Sequence, residues 1–310
     1  MLSARSEWMR ARVVFLVLTL VACSPSAAPR ERAASPSPRS SQSVASSFLV
    51  RNVVEVVDVL AGEIGPRETT SDAFRRAGLY VERRFRASGY RVTRQSFRVP
   101  AGLSNLVAVP DGDTFNIVAE PRGFDATRPH LIVGAHLDTV PQAPGAVDNA
   151  TGVGVVIELA RLASITPPSI PVVFVAFGGE EARVPKGGLH GSKAFVAGLG
   201  AREQKAVAGA IIIDRMGTDD RVPICTATKQ SVAFARRFVD AARRVGVPTI
   251  SCRNDSSDHL SFTRAGILAV RIGPDDFREY HTPRDIPAIL APDQVQRAGT
   301  LLWEALRSAV

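Results

Sequence analysis

Apolar and polar positions alternate along this chain in two distinct registers. Early on, apolar residues recur at helical spacing. Leu49, Val53, Val56, Val57 and Leu60 share one face and predict a helix over about 44–61, stopped by Gly62, Gly65 and Pro66. Phe74, Ala77, Val81 and Phe85 do the same for a second helix over about 71–88, with Gly89 as its C′ residue. Strand signals follow at 90–99 and 116–120. The register then changes. Leu131–Ala135, Pro171–Phe177 and Ala210–Ile213 are short, continuous apolar runs, the pattern of strands covered on both faces. Helical patterns at 152–164 and 192–199 separate them. Such strand–helix–strand alternation predicts an α/β fold, a three-layer α/β/α sandwich around a mixed, mostly parallel sheet. A helix at 231–245, a strand at 268–272 and a last helix from about Pro292 complete the expected elements.

The first 43 residues read differently. Arg10 and Arg12 precede an apolar run from Val13 to Ala22, too short to span a bilayer but suited to the core of a signal peptide. The run ends Leu20-Val21-Ala22-Cys23, which resembles the bacterial lipobox, where the cysteine is lipidated and becomes the first mature residue. Residues 1–22 are therefore expected to be a lipoprotein-type signal peptide, with export to the cell envelope and membrane contact only through Cys23. Ser24 to Ser43 is Ser, Pro, Ala and Arg with almost nothing to bury, the composition of a flexible tether. Residues 44–310 then form one folded domain.

Composition adds exclusions. The net charge is +8. Residues 1–22 carry Arg5, Arg10 and Arg12 against Glu7, so their removal leaves +6. The remaining arginines are scattered rather than striped, which argues against a nucleic-acid partner. Beyond Cys23 only Cys225 and Cys252 remain. They could pair in an oxidising compartment or stand as free thiols, and the sequence leaves both open. There is no H-E-x-x-H, G-x-S-x-G, P-loop or post-strand G-x-G-x-x-G, which removes serine hydrolases and nucleotide enzymes.

Each buried run ends in a residue able to bind metal. Leu131–Ala135 ends at His136, Pro171–Phe177 leads to Glu180 and Glu181, and Ala210–Ile213 ends at Asp214. Sites in open α/β sheets form at the carboxyl ends of strands, so three runs delivering His, Glu and Asp point to one constellation.

The surrounding strings resemble the co-catalytic zinc exopeptidases, family twenty-eight of the metallopeptidases. They are GAHLDT around His136, PGAVDNATG around Asp148, GGEE ending at Glu181, IIIDRMG around Asp214 and YHTPRD around His281. The resemblance covers about Val53 to the C-terminus and implies the zinc-exopeptidase fold. It also implies two Zn2+ ions bridged by Asp148, with His136 and Asp214 completing one site and Glu181 and His281 the other. Glu180 is then the general base, with a zinc-bridging water as nucleophile. Asp138 is expected to fix the His136 ring through the ring's second N–H, and the Asp148–Asn149 peptide is expected to be strained, and cis on the family's precedent.

The implied activity is removal of N-terminal residues from peptides. A carboxypeptidase or dipeptidase on the same site, a single-zinc glutaminyl cyclase and a non-catalytic binding module are the alternatives. Only residues 215–280 separate Asp214 from His281, too few for the lid domain of the related two-domain carboxypeptidases. Ser257-Asp258-His259 resembles a further family string, though a helix N-cap accounts for it. His190 and His130 read as surface residues. The segment from Ala182 to Gly187 is longer than the family's usual link, so the cleft rim and its specificity are expected to differ.

Overall fold

The computed structural model describes residues 47–308. The expected signal peptide, tether and Cys23 anchor lie outside them; the first helix, expected from about 44, begins only at Val50, since residues 47–49 are not helical. Helix α1 (Val50–Val57) runs on as a π-helical stretch to Ile64, so Gly62 does not stop it; the chain turns at Gly65, where φ is 76°. Helix α2 (Asp72–Ala87) begins at Ser71, whose hydroxyl accepts from the Phe74 N–H at 3.1 Å. This cap satisfies one of the orphan donors of the first turn.

The strands are β1 (Arg91–Val99), β2 (Gly102–Ser104), β3 (Val107–Val109), β4 (Gly112–Glu120) and β5 (His130–His136). Helix α3 (Thr151–Ile165), β6 (Val172–Phe177), α4 (His190–Ala197), α5 (Ala201–Ala206) and β7 (Val207–Ile213) follow. Then come β8 (Val222–Thr226), α6 (Val232–Val245), β9 (Thr249–Arg253), α7 (His259–Arg264), β10 (Ala269–Ile272) and α8 (Pro292–Arg307). The main sheet has eight strands in the order β1-β4-β6-β5-β7-β10-β8-β9. β6–β5–β7–β10 are parallel, as are β8 and β9, while β1–β4, β4–β6 and β10–β8 are antiparallel.

Period-two alternation sorts the buried runs into two cores. Leu131, Val133 and Ala135 of β5 join the core under α1, α2, α3, α6 and α8, and Ile132 faces the opposite core under α4 and α7. That second core is tied by three phenylalanines. Phe177 ends β6, and Phe195 and Phe262 come from the two helices, with ring centroids 5.9–6.1 Å apart. Such contacts contribute about 0.5–1.5 kcal/mol each beyond buried area. They also fix α4 and α7 beside the segment that carries Glu180.

The helices and strands read from periodicity stand within a few residues of their expected ends. β8, β9, α5, α7 and the β2–β3 hairpin carry no such signal. Among them, β8 and β9 place Cys225 opposite Cys252 in register, and the two form a disulfide with Cα atoms 4.4 Å apart. Among the described residues no helix is long and apolar enough to cross a membrane.

Candidate metal centre

Four parallel strands deliver side chains to one edge of the sheet. β5 ends at His136, and β6 runs out through Gly178 and Gly179 to Glu180 and Glu181. β7 hands on to Asp214, and the segment after β10 returns to His281. The loop between β5 and α3 adds Asp148. All six meet in one cleft of about 270 Å³.

Asp148 stands in the middle with one oxygen toward each neighbour. Its Oδ1 is 3.0 Å from His136 Nε2, and its Oδ2 is 3.5 Å from His281 Nε2. His136 Nε2 is also 3.4 Å from Asp214 Oδ1, and His281 Nε2 is 3.0 Å from Glu181 Oε2. His136, Asp148 and Asp214 present ligand atoms within 4.8 Å of one another, and so do Asp148, Glu181 and His281. Asp214 Oδ1, Glu181 Oε1 and His281 Nε2 are buried with no hydrogen-bond partner. Orphaned buried atoms of this kind need an explanation, and a divalent cation supplies one. Imidazole nitrogen with carboxylate oxygen suits zinc, and the two groups sharing Asp148 could hold two ions.

The electrostatics agree. Burial by itself would lower His136, but Glu180, Asp148 and Asp214 raise it well above its ordinary value. Burial likewise opposes the charge on His281, yet Asp148 and Glu181 lift it to about 10. Burial, with Glu181, Asp258 and Asp214 adding to it, pushes Glu180 well above the usual carboxylate range. The cleft gathers more negative charge than it can solvate, and positive charge of any kind is welcome there.

The backbone around these ligands is fixed by groups remote in sequence. The Asp148–Asn149 peptide is cis, as the resemblance implied. Asn149 Nδ2 donates to the Ile213 carbonyl at 2.8 Å, tying the Asp148 loop to the end of β7. Asp285 accepts from the N–H groups of Val147 and Asp148 at 2.8 and 3.1 Å. It sits four residues beyond His281 and so joins the two ligand loops. Arg271, fully buried on β10, donates to Asp214 Oδ2 at 3.0 Å, leaving Oδ1 free toward His136. Gly273, at φ 135°, packs so closely that a Cβ would lie 1.8 Å from the Asp214 carbonyl oxygen. Asp285→Asn keeps an acceptor for one N–H and presents a donor to the other. Its zinc affinity should fall about 10–100-fold, the usual cost of disturbing an outer-shell partner, as read by competition with a chelating dye.

Asp138 behaves differently from expectation. The His136 ring is held at Nδ1 by the Asp138 backbone carbonyl at 3.0 Å, while the nearest carboxylate oxygen is 3.9 Å away. That carboxylate accepts instead from the N–H groups of Glu180 and Glu181 at 3.1 and 3.2 Å. The turn after β5 points the side chain across to the neighbouring strand's outlet, so Asp138 aims the two glutamates as well as the imidazole.

Other expectations are corrected too. His130 is buried, because residues 121–129 fold over it and Phe124 meets its ring edge-on at 5.0 Å. His190 is half-buried at the start of α4. α7 does begin at His259, but Asp258 makes no capping hydrogen bond. Its carboxylate is buried with both oxygens unpartnered. Burial pushes it up to about 7, against the pull of His136 and Ser192.

Several contributors were not picked out from the sequence, although Tyr280 and Arg215 lie inside the strings around His281 and Asp214. Tyr280 stacks on the His281 ring with centroids 3.8 Å apart, and the Arg215 guanidinium lies 4.8 Å from the Tyr280 ring centre. Arg67 is fully buried and donates to the carbonyls of Leu60, Gly65, Leu137, Pro144 and Gly145. It thereby braces both ends of the loop that leads from His136 toward Asp148.

Known proteins resemble this chain in sequence and in fold. The model of peptidase family M28 matches residues 116–306. Aminopeptidase YwaD of Bacillus subtilis (strain 168) is 32% identical over 217 residues, covering 66% of this chain and 47% of that protein. The match thus spans about half of that relative's length. The probable lipoprotein aminopeptidase LpqL of Mycobacterium tuberculosis is 29% identical over 168 residues, 49% of this chain and 33% of that protein. Among solved structures, a zinc aminopeptidase from Bacillus subtilis superposes with a TM-score of 0.76 at 20% identity, covering 85% of this chain and 95% of the other. Glutaminyl cyclase from Porphyromonas gingivalis gives 0.74 at 19% identity, with 85% and 99% covered. At such identities the likeness is one of fold. The family match takes in most of the folded domain, including every strand that delivers a candidate ligand to the cleft, and the chain belongs to peptidase family M28.

Proposed function

We propose that the protein is a di-zinc exopeptidase that releases the N-terminal residue from peptides. The observation that carries this reading is the shared carboxylate: Asp148 turns one oxygen to His136 and the other to His281. His136 and Asp214 would complete one zinc site and Glu181 and His281 the other. Bound there, zinc would make a water acidic and polarise the scissile carbonyl.

The chain's own chemistry centres on Glu180. It lies within ligand distance of His136 and Glu181 but outside both proposed ligand sets. Adjacent residues on an extended segment point in different directions, so Glu181 can serve metal while Glu180 serves substrate. Its raised proton affinity suits a group that takes a proton from the attacking water and returns it to the departing amine. Asp138 holds its backbone in place for that transfer.

The same reading places the protein in the cell envelope, anchored through Cys23. Supporting it are the lipobox-like Leu20–Cys23, the Cys225–Cys252 disulfide, which suits an oxidising compartment, and the similarity to a relative named as a probable lipoprotein. Fractionation of the full chain tests it: Cys23→Ala should release the protein from the membrane.

Purified protein assayed for metal and activity together tests the main reading. About two zinc ions per chain should accompany cleavage of aminoacyl-anilides and of peptides with a free N-terminus. Release from the carboxyl end, or ring closure on N-terminal glutamine alone, would overturn it.

A further inference from the structure

We propose that an apolar rim beside the cleft binds the part of the peptide downstream of the residue being removed, and that it selects apolar side chains there. This rests on the exopeptidase reading and deepens it. The rim has two pieces, the β2–β3 hairpin and the 182–187 loop. They pair as one small sheet. Leu103 and Val184 exchange backbone hydrogen bonds at 3.0 and 2.9 Å, and Leu103 also pairs with Ala108 across the hairpin. Directly paired residues share a face, so Ala108, Leu103 and Val184 form one row, and all three are exposed.

At the hairpin tip Leu106 is 90% exposed with φ 69°. A leucine in the left-handed region is disfavoured by its own Cβ, and full exposure gains it nothing from folding. Apolar side chains gathered this way, rather than scattered singly, mark a contact surface.

The rim is built onto the site. Asn105, between Ser104 and Leu106, donates from Nδ2 to the His281 carbonyl at 3.0 Å and accepts from Gln142 at 2.7 Å. Arg183, buried, donates to the carbonyls of Pro100 and Pro110, one on each side of the hairpin. The 182–187 loop meets the cleft wall at its two ends, Ala182 and Gly188. The rim is therefore held by the loop after Glu181 on one side and by His281 on the other. A peptide whose first residue lies in the cleft and whose chain leaves on this side runs along the rim.

The test compares tripeptides that share one N-terminal residue and differ at the second and third, leucine and phenylalanine against two serines. With zinc-loaded protein, kcat/KM should favour the apolar peptide by about 10-fold, the scale of a modest apolar contact. The double variant Leu106→Ser with Val184→Ser should bring that ratio close to one. The change should sit in KM, because contacts remote from the reacting atoms bind ground and transition state alike. Leu79→Ser, an exposed leucine on α2, should keep the ratio. A wild-type ratio near one, or a ratio that survives the rim variant, overturns the proposal. If not even an aminoacyl-anilide is cleaved, the exopeptidase reading fails. The rim is then judged by fluorescence anisotropy with the same two peptides, labelled: a preference lost in the double variant supports it, and equal affinities overturn it.

Discussion

Glu180→Gln should retain its zinc and lose on the order of 10²–10⁴ in kcat, the usual contribution of a positioned general base. The amide has the volume of the carboxylate, so the cleft should stay packed and KM should change little. What it lacks is the ability to accept a proton from the attacking water and deliver it to the leaving amine. The backbone bond from residue 180 to Asp138 is made by its N–H, so the substitution leaves that anchor untouched. Zinc content measured on the same preparation separates lost chemistry from lost metal. Unchanged turnover would remove Glu180 from its role.

Glu181→Ala, one residue along, should fail in the other way, by losing metal. Glu181 is buried, with Oε2 facing His281 Nε2 at 3.0 Å and Oε1 unpartnered. Its removal leaves His281 and Asp148 as the only proposed protein ligands of that ion. Affinity should fall by more than the roughly 10–100-fold typical of outer-shell changes, and activity should fall with occupancy. Zinc uptake by the wild type should also strengthen as pH rises. Asp148 and Glu181, against burial, raise His281 to about 10, and a protonated imidazole must release its proton before it can bind metal. Each step down in pH below that value therefore weakens binding. Full zinc content in Glu181→Ala would refute the ligand assignment, and a pH-independent affinity would remove His281 from it.

On the proposed reading the two neighbouring glutamates take opposite roles. Nothing in the GGEE string separates them. The separation comes from the cleft, where Glu181 meets His281 while Glu180 is grouped with His136 and Glu181. Asp138 supports both from one carboxylate. Its position two residues after His136 suggested a contact with the ring alone. A side chain two positions on leaves in a direction set by the turn, and here the turn carries it across to the outlet of β6.

Legibility followed the range of the interactions involved. Strands β5, β6 and β7 and helices α2, α3 and α6 could be read from periodicity, because burial on one face or two imprints itself on consecutive residues. His136, Glu180, Glu181 and Asp214 could be read because each stands where an apolar run gives way to polar chain, whereas Asp148 and His281 were read only from the resemblance of the strings around them. β8 and β9 could not be read. They are short, and β9 is an edge strand whose residues are largely open to solvent, so no alternation marks it.

What the amino-acid order determined by itself was therefore local: which stretches bury which face, which residue types end the buried runs, and the ordered strings that place the chain in its family. Tertiary structure alone decided the rest. It brought Asp285 onto backbone 137 residues away and Arg271 onto a carboxylate 57 residues away. It closed the disulfide, left Asp258 buried without a partner, and joined the β2–β3 hairpin to the 182–187 loop beside the cleft. The physical reason is range. Periodicity and end signals come from neighbours along the chain, whereas a guanidinium or carboxylate acquires its partner only when strands far apart in sequence lie side by side.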